Sequence, residues 1–251
     1  MTTATIRLHD VTIAYERHPA VHHVSGAFEE GHLTAIVGPN GAGKSTLVKA
    51  LVGELPLTEG SIDRGRLAQN DFGYLPQAAE IDRRFPLAVA DLVMLGAWRE
   101  TGAFGGATRT TAAKARAALS AVELDGFEKR PIATLSAGQF QRALFARLLL
   151  QDAEAIILDE PFTAIDGRTT AHLLEIVSRW GNEGRTVIAV LHDLDQVRTH
   201  FPQTLLLARE KVAWGPTEST LSASYLHKAR AMSEGWDENA SVCEEARWRR
   251  S

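Results

Sequence analysis

A glycine-rich run near residue 40 carries the clearest chemical signal in the chain. Positions 38–46 read Gly-Pro-Asn-Gly-Ala-Gly-Lys-Ser-Thr and match the phosphate-binding pattern G-x-x-x-x-G-K-[ST] at every position. The glycines let successive backbone N–H groups turn inward around phosphate oxygens, the lysine can reach the β- and γ-phosphates, and the serine hydroxyl can ligate Mg²⁺. We therefore expect a nucleotide to be bound by Gly38, Pro39, Asn40, Gly41, Ala42, Gly43, Lys44, Ser45 and Thr46.

The segments on either side decide between this interpretation and an ordinary glycine-rich turn. Residues 33–37, Leu-Thr-Ala-Ile-Val, form a short apolar run of the kind found in buried strands. After the loop, apolar residues recur at helical spacing until Gly53 offers a stop. The order strand, loop, helix is the context in which the pattern binds phosphate, and it favours the phosphate-binding interpretation.

Acidic residues and a histidine follow two further apolar runs. Residues 155–158 are typical of a central parallel strand, which ends in Asp159 and Glu160. Residues 186–191 read as another buried strand, and His192 comes directly after it. Side chains at the carboxyl ends of parallel strands face the crevice where α/β sheets bind ligands. A purely structural alternative stays open, in which Glu160 is an ion-pair partner and His192 is a core histidine.

Three weaker signals lie elsewhere. Tyr15 ends an alternating, strand-like stretch, and its ring could stack on a nucleotide base or fill a strand edge. Gln77 follows the predicted strand 72–75, where a polar side chain would project from the strand end. Ser136 is a good helix N-cap, and Gln139 three residues later completes a capping box, which needs no ligand.

The remaining patterns predict further strands at 24–28, near 61–63, at 204–207 and at 211–214, and helices at 89–95, 110–122, 135–150 and 168–180. Residues 80–130 change character to helical spacing around a glycine-rich joint at 102–106, so we interpret them as an inserted helical subdomain. From Ser219 onward the chain is helical at best, and beyond Ser233 it is highly charged without an apolar stripe.

Four histidines crowd residues 18–32, namely His18, His22, His23 and His32. Their spacing lacks a second ligand pair on a recognisable helix or finger, so a metal site is disfavoured. We expect solvated histidines in loops.

Composition bounds the class of protein. The chain has 251 residues, 45% of them hydrophobic, and a net charge of −4, which gives no general electrostatic reason to expect nucleic acid or an anionic membrane surface. No apolar run approaches the roughly 18 residues that span a bilayer. The first residues lack the order of a secretory signal, and the single cysteine, Cys243, fits a reducing cytosol.

Taken in chain order, these motifs resemble the ATP-binding subunit of an ABC transporter over nearly the full length. Residues 38–46 look like the Walker A loop and 156–160 like Walker B with its following glutamate. Residues 135–139 resemble the LSGGQ signature, and 163–166 the D-loop with Asp166. Tyr15, Gln77 and His192 match the adenine-stacking aromatic, the Q-loop glutamine and the switch histidine.

The resemblance implies a fold and a set of roles. The implied fold is α/β, a P-loop NTPase core with a mainly parallel sheet. An N-terminal antiparallel β-subdomain and a helical subdomain inserted at about 80–150 complete it. Residues 1–232 would form one domain, followed by a charged tail over 233–251. Asp159 would hold Mg²⁺ with Ser45 and Gln77. Glu160 would polarise the attacking water, and His192 would contact the γ-phosphate, with Lys44 and Gln77 completing the catalytic set.

The resemblance also implies partners. Ser136, Gly138 and Gln139 would act in trans on ATP held by a second copy of the chain, with Asp166 nearby. Ala137 replaces the first glycine of the usual signature, and because alanine is tolerated in a first helical turn, little loss is expected. The ATPase would dock beneath membrane permeases at the cytoplasmic face of the inner membrane, bind no nucleic acid, and serve a periplasmic or surface metal-binding protein indirectly.

Residues 80–96 are similar to the zinc and manganese uptake branch, with Asp82, a Phe-Pro pair at 85–86 and the helix 91–96. This branch implies uptake of a divalent metal, and we expect zinc. The alternatives are a siderophore or vitamin B12 importer, and a non-transport ABC ATPase.

Overall fold

The computed structural model describes residues 4–15, 18–102, 108–163 and 165–234. Along the chain lie the strands and helices β1 (Ala4–Tyr15), β2 (His18–Glu29), β3 (Leu33–Val37), α1 (Lys44–Leu51), β4 (Glu59–Asp63), β5 (Phe72–Leu75), α2 (Val89–Met94), α3 (Trp98–Thr101), α4 (Arg109–Ala121), α5 (Ala137–Gln151), β6 (Ala155–Asp159), α6 (Gly167–Asn182), β7 (Thr186–Val190), α7 (Leu194–His200), β8 (Gln203–Ala208), β9 (Glu210–Pro216), α8 (Thr217–Thr220) and α9 (Ala223–Glu234). Short 3₁₀ turns lie at Gln69–Asp71, Ala78–Glu80, Leu95–Ala97 and Ile132–Thr134.

Two sheets form the framework. The larger sheet has six strands in the order β5-β6-β7-β3-β8-β9, parallel except for the antiparallel pair β8 and β9. The smaller sheet, β2-β1-β4, is antiparallel. Strand β3, which leads into the glycine-rich loop, is therefore central and hydrogen-bonded on both sides, so the loop rises from a rigid position.

The two faces of the large sheet bury different clusters because successive side chains of a strand point to opposite sides. On one face Val37 and Leu158 pack with the helices, including Phe140 of α5. On the other face Ile36 and Ile157 pack with α1 and with the small sheet. Burial on both faces explains why these strands read as continuous apolar runs.

The helices between β5 and β6 pack around α5. Apolar residues of α2 and α4, such as Val89 and Leu119, join Phe140 in one cluster. Helix α5 also reaches the outer strand of the sheet, where the side chains of Gln151 and Arg147 donate hydrogen bonds to the carbonyls of Phe72 and Tyr74. The extent of the inserted subdomain, about 80–150, and of the whole domain, 1–232, stays a prediction.

Strand β2 corrects two expectations. It begins at His18, six residues before the predicted strand, and pairs with β1 from the His18–Tyr15 pair to the Glu29–Ala4 pair. His18, His22 and His23 therefore lie in a strand, and their prediction as loop residues is wrong. The pairing contains several register shifts, which break the alternation that sequence patterns rely on.

The C-terminal part is more ordered than its sequence indicates. Helix α9 extends to residue 234, and Ala229 is buried against the core. Residues 103–106 of the predicted joint at 102–106, Ala164 and the tail with Cys243 lie outside the described residues. No helix among the described ranges is long and apolar enough to cross a membrane.

Candidate active site

The glycine-rich loop connects β3 to α1 and is held against neighbouring backbone. A Cβ atom at Gly38 would lie 1.9 Å from the carbonyl oxygen of Leu207, and one at Gly43 would lie 2.1 Å from that of Ala20. Gly43 also has a φ of 85°, which disfavours other residues. These two glycines are required by close approach, so the loop cannot take side chains there without shifting.

The loop opens onto a cavity of about 640 Å³. Helix α1 begins there without a side-chain cap and without an acidic residue in its first turn. Its first N–H groups and the positive end of its dipole are therefore available to an anion. The cavity is lined by Asn40, Gly41, Ala42, Gly43, Lys44, Ser45, Thr46, Gln77, Glu160, Thr163 and His192.

Lys44 supplies the cation of the site and is almost fully buried. Its Nζ donates hydrogen bonds to the carbonyl oxygens of Gly38, at 3.0 Å, and Pro39, at 2.9 Å. Burial lowers the pKa of the ammonium, and the nearby carboxylates of Glu160 and Asp159 oppose that shift. A bound phosphate would add negative charge beside this desolvated cation, which favours its charged form.

Asp159 ends β6 and is fully buried beside the loop. The Ser45 hydroxyl donates to its Oδ1 at 3.1 Å, and Gln77 Nε2 donates to the Ser45 oxygen at 3.3 Å. Its other oxygen, Oδ2, is buried with no hydrogen-bond partner in the described structure. Burial raises the pKa of Asp159 to about 6, a shift that the Ser45 hydrogen bond opposes and the Glu160 charge increases. A buried, unpartnered carboxylate oxygen next to a hydroxyl is a set of hard oxygen ligands that fits Mg²⁺.

Glu160 and His192 come together across the ends of β6 and β7. His192 Nε2 lies 2.6 Å from Glu160 Oε1. Glu160 has a φ of 50°, unusual for a residue with a side chain, directly after the strand. Such backbone strain is typical of functional sites. Of the two alternatives left open by the sequence, Glu160 does contact a titratable partner, His192, whereas the His192 side chain is 43% exposed and is no core histidine.

Thr163 was missed by the sequence analysis as a site residue. It lines the cavity, and its hydroxyl donates to Glu160 Oε2 at 3.4 Å. The available signal was its spacing, three residues after the strand-end glutamate, where the chain turns back over the crevice.

The other predicted site residues do not line this cavity. Tyr15 lies half-exposed at the end of β1. Ser136 and Gln139 form the predicted capping box of α5, with N···O distances of 3.2 and 3.0 Å. Asp166 caps α6 by accepting from the Thr169 N–H and hydroxyl, and these bonds lower its pKa. Within one chain, the side chains of Ser136 and Gln139 thus bond to the start of their own helix and not to the cavity.

The geometry agrees with comparisons to known proteins. The family model described as ABC transporter matches residues 21–163. The chain belongs to the ABC transporter family. This ABC ATPase is 36% identical to the manganese transport system ATP-binding protein MntB of Bacillus subtilis, over 89% of the chain and 91% of that protein. It is 35% identical to the zinc transport system ATP-binding protein TroB of Treponema pallidum, over 91% of the chain and 87% of that protein.

Solved structures of the family share its fold. An inward-facing metal-chelate type ABC transporter superposes with a TM-score of 0.80 at 25% identity, covering 91% of the ABC ATPase chain and 90% of that chain. A dimeric bacterial ABC transporter cassette superposes with a TM-score of 0.75 at 25% identity, and the match covers 84% of the ABC ATPase chain and 98% of that cassette. The predicted α/β cassette fold, nucleotide binding and ATPase class are thereby confirmed.

Proposed function

We propose that this ABC ATPase powers an importer for a divalent metal, zinc or manganese, by hydrolysing ATP. The observation that carries the proposal is one cavity lined by the phosphate loop, by Ser45, whose hydroxyl donates to the buried Asp159, and by the Glu160–His192 pair. Zinc is the ion that we expected from the resemblance of residues 80–96 to the zinc and manganese branch. The relatives named for manganese and for zinc resemble the chain almost equally, at 36% and 35% identity, so they support the metal class rather than one ion.

In this proposal the loop and Lys44 bind the triphosphate. The first N–H groups of α1 donate to phosphate oxygens, and Lys44 turns its ammonium from the loop carbonyls toward the β- and γ-phosphates. Asp159 and Ser45 would hold Mg²⁺, with Gln77 beside them, and the ion would supply neutralisation of phosphate charge. Tyr15 would stack on the adenine at the mouth of the site.

Glu160 and His192 carry out the hydrolytic step. Glu160, as a carboxylate, accepts a hydrogen bond from the attacking water and polarises it toward the γ-phosphorus. His192 leaves its contact with Glu160 to donate to a γ-phosphate oxygen, which frees the carboxylate for that water. Thr163, already within 3.4 Å of Glu160, helps to hold the carboxylate in orientation.

Hydrolysis is proposed to need two copies of the chain. Ser136, Gly138, Gln139 and Asp166 lie outside the cavity of their own chain, so they would close over ATP held by the other copy. A dimeric family member of the same fold supports this arrangement. The permease would contact the segment after Gln77, where Phe85, Leu95 and Trp98 are exposed. The ATPase would then lie on the cytoplasmic face of the membrane, and the metal-binding protein would act across it.

A chelate importer is the second candidate. The superposable structure of a metal-chelate type transporter at a TM-score of 0.80 favours it. It predicts that the imported species is iron or another metal carried inside an organic chelator.

The test is deletion of the gene, followed by measurement of cellular zinc, manganese and iron under starvation for each. Under the proposal, zinc or manganese falls and is restored by the wild-type gene but not by Glu160→Gln. Glu175→Gln, which changes an exposed glutamate of α6, is the matched control and restores uptake. Loss of siderophore-bound iron uptake with normal zinc and manganese would favour the chelate importer instead. Unchanged levels of all three would refute metal import.

A further inference from the structure

Arg83 links the segment that follows Gln77 to the signature segment. It belongs to the segment that follows Gln77, and its guanidinium donates hydrogen bonds to the carbonyl oxygens of Leu135 and, at 3.4 Å, Ile132. The same guanidinium lies over the ring of Phe140, 4.9 Å from its centroid. Arg83 therefore contacts the chain on both sides of Ser136.

These contacts are of the kind that fix a conformation. Leu135 and Ile132 are buried, and Phe140 is fully buried in the first turns of α5. Ile132–Thr134 is only a short 3₁₀ turn, whose hydrogen-bond geometry is poorer than that of an α-helix. A charged donor that binds the carbonyl of Ile132, at the start of the turn, and that of Leu135, just after it, and that packs on the Phe140 ring, fixes where the turn ends and where Ser136 begins α5.

The other end of the segment is tied to the nucleotide core. Gln77 donates to Ser45 at 3.3 Å, and Glu80 forms an ion pair with Lys49 of α1 at 2.7 Å. Residues 77–83 thus form a short connecting segment. Its first half contacts the nucleotide core through Gln77 and Glu80, and its last residue, Arg83, donates hydrogen bonds to the turn before Ser136. Arg84, the next residue, is 91% exposed and pairs only with Asp82 in the described structure.

We propose that Arg83 is a positioning residue, which holds Ser136 and the start of α5 in the orientation needed for hydrolysis of ATP bound by the second copy of the chain. The inference rests on the two-copy arrangement put forward under the proposed function. Arg83 does not line the nucleotide cavity, so its loss is expected to leave ATP binding to the single chain intact.

The test compares three variants. Arg83→Met keeps an apolar stem over Phe140 but removes the donors, Arg83→Lys restores one charged donor, and Arg84→Met is the matched control. We expect Arg83→Met to lower the ATPase rate at saturating ATP by roughly tenfold or more, the equivalent of one charge-assisted hydrogen bond. Its Kd for a fluorescent ATP analogue stays within about twofold of wild type, which also shows that the variant is folded. Arg83→Lys recovers part of the rate, and Arg84→Met keeps the full rate.

Mixing experiments separate a role in trans from a general structural one. Arg83→Met is mixed with Glu160→Gln before ATP is added, because a mixed dimer then contains one site with an intact Glu160 and an intact signature. Activity should rise from near zero for each variant alone to roughly a quarter of wild type, since random pairing makes half of the dimers mixed. Ser136→Arg mixed with Glu160→Gln is run in parallel.

The parallel mixture keeps the two proposals distinguishable. Recovery with Ser136→Arg but not with Arg83→Met would overturn the role of Arg83 and leave the two-copy site standing. Recovery with neither would overturn the two-copy site and this inference with it. A Kd that weakens in step with the rate would show that Arg83 acts on its own chain's nucleotide, which also overturns the inference.

Discussion

Asp159 illustrates how one buried residue sets the conditions under which the site works. The sequence placed a carboxylate at a strand end, but its complete burial and the unpartnered Oδ2 depend on how α1 and β7 pack around it. Without a cation, the charged form of this carboxylate is destabilised, and its pKa is therefore raised to about 6. The nucleotide-free protein consequently gains stability from this group when the carboxyl is protonated.

The stability of the nucleotide-free protein should depend on pH through Asp159. A carboxyl whose folded pKa is raised from 3.8 to about 6 contributes stability that grows as pH falls through 6 and is complete below 3.8. Asp159→Asn stays neutral, so it should be more stable than wild type at neutral pH by up to roughly 3 kcal/mol, and the difference should shrink on acidification. Urea unfolding of both proteins from neutral to mildly acidic pH measures this difference in the free energy of unfolding. A difference that does not change with pH would contradict the assignment.

At the scale of elements, the conformation of the phosphate loop likewise depends on how its neighbours pack around it. It lies between a central strand and α1, and the small sheet presses on it from behind through the carbonyl of Ala20. The order of strand, loop and helix was predictable from the sequence. The contact with β2 was not, because it joins Gly43 of the loop to Ala20 of a strand that is not its neighbour in the chain.

Gly43→Ala should therefore weaken nucleotide binding through a collision rather than through φ alone. Its Cβ would lie 2.1 Å from the Ala20 carbonyl, so the loop must move away from β2. We expect the Kd for ATP to rise by at least roughly tenfold, the loss of about one phosphate hydrogen bond. Gly41→Ala is the matched control, because Gly41 lies in the same loop and has a φ of 75° with nothing within 4 Å of its Cβ position. It carries the backbone strain without the collision, so a similar loss of binding in both variants would disprove the explanation.

Other elements show where prediction from sequence succeeded and where it stopped. The capping box of Ser136 and Gln139 is local, with all its atoms within four residues, and the structure confirms it. The start of β2 was missed because register shifts hide its alternation. The contact between Glu160 and His192 joins two strand ends whose neighbourhood follows from sheet order, but its 2.6 Å distance depends on the strained backbone of Glu160.

At the scale of the whole molecule, the two hydrophobic clusters hold different layers together. One joins the helices to the large sheet, and the other joins the large sheet to the small one. Phe28 of β2 belongs to the second cluster, where its ring lies 4.6 Å from that of Trp214 in β9. This contact helps to keep the small sheet against the strands that carry the loop.

Phe28→Ala should destabilise the fold by about 3–5 kcal/mol, since it removes a fully buried ring and leaves a cavity between the sheets. Phe85→Ala, at a ring that is 63% exposed, should change stability by less than about 0.5 kcal/mol. Urea unfolding midpoints compare the two. Equal effects would mean that the contact between the sheets contributes little to the stability of the chain.

The outer strand β5 has a consequence for behaviour at high concentration. A free edge of a sheet can accept a strand from another molecule, which leads to aggregation. Here the side chains of Gln151 and Arg147 already donate to the outward carbonyls of Phe72 and Tyr74, and helix α5 stands over them. Because these two carbonyls are occupied, strand addition at this edge is disfavoured, and copies of the protein that meet there are expected to associate through side-chain surfaces, which can separate again.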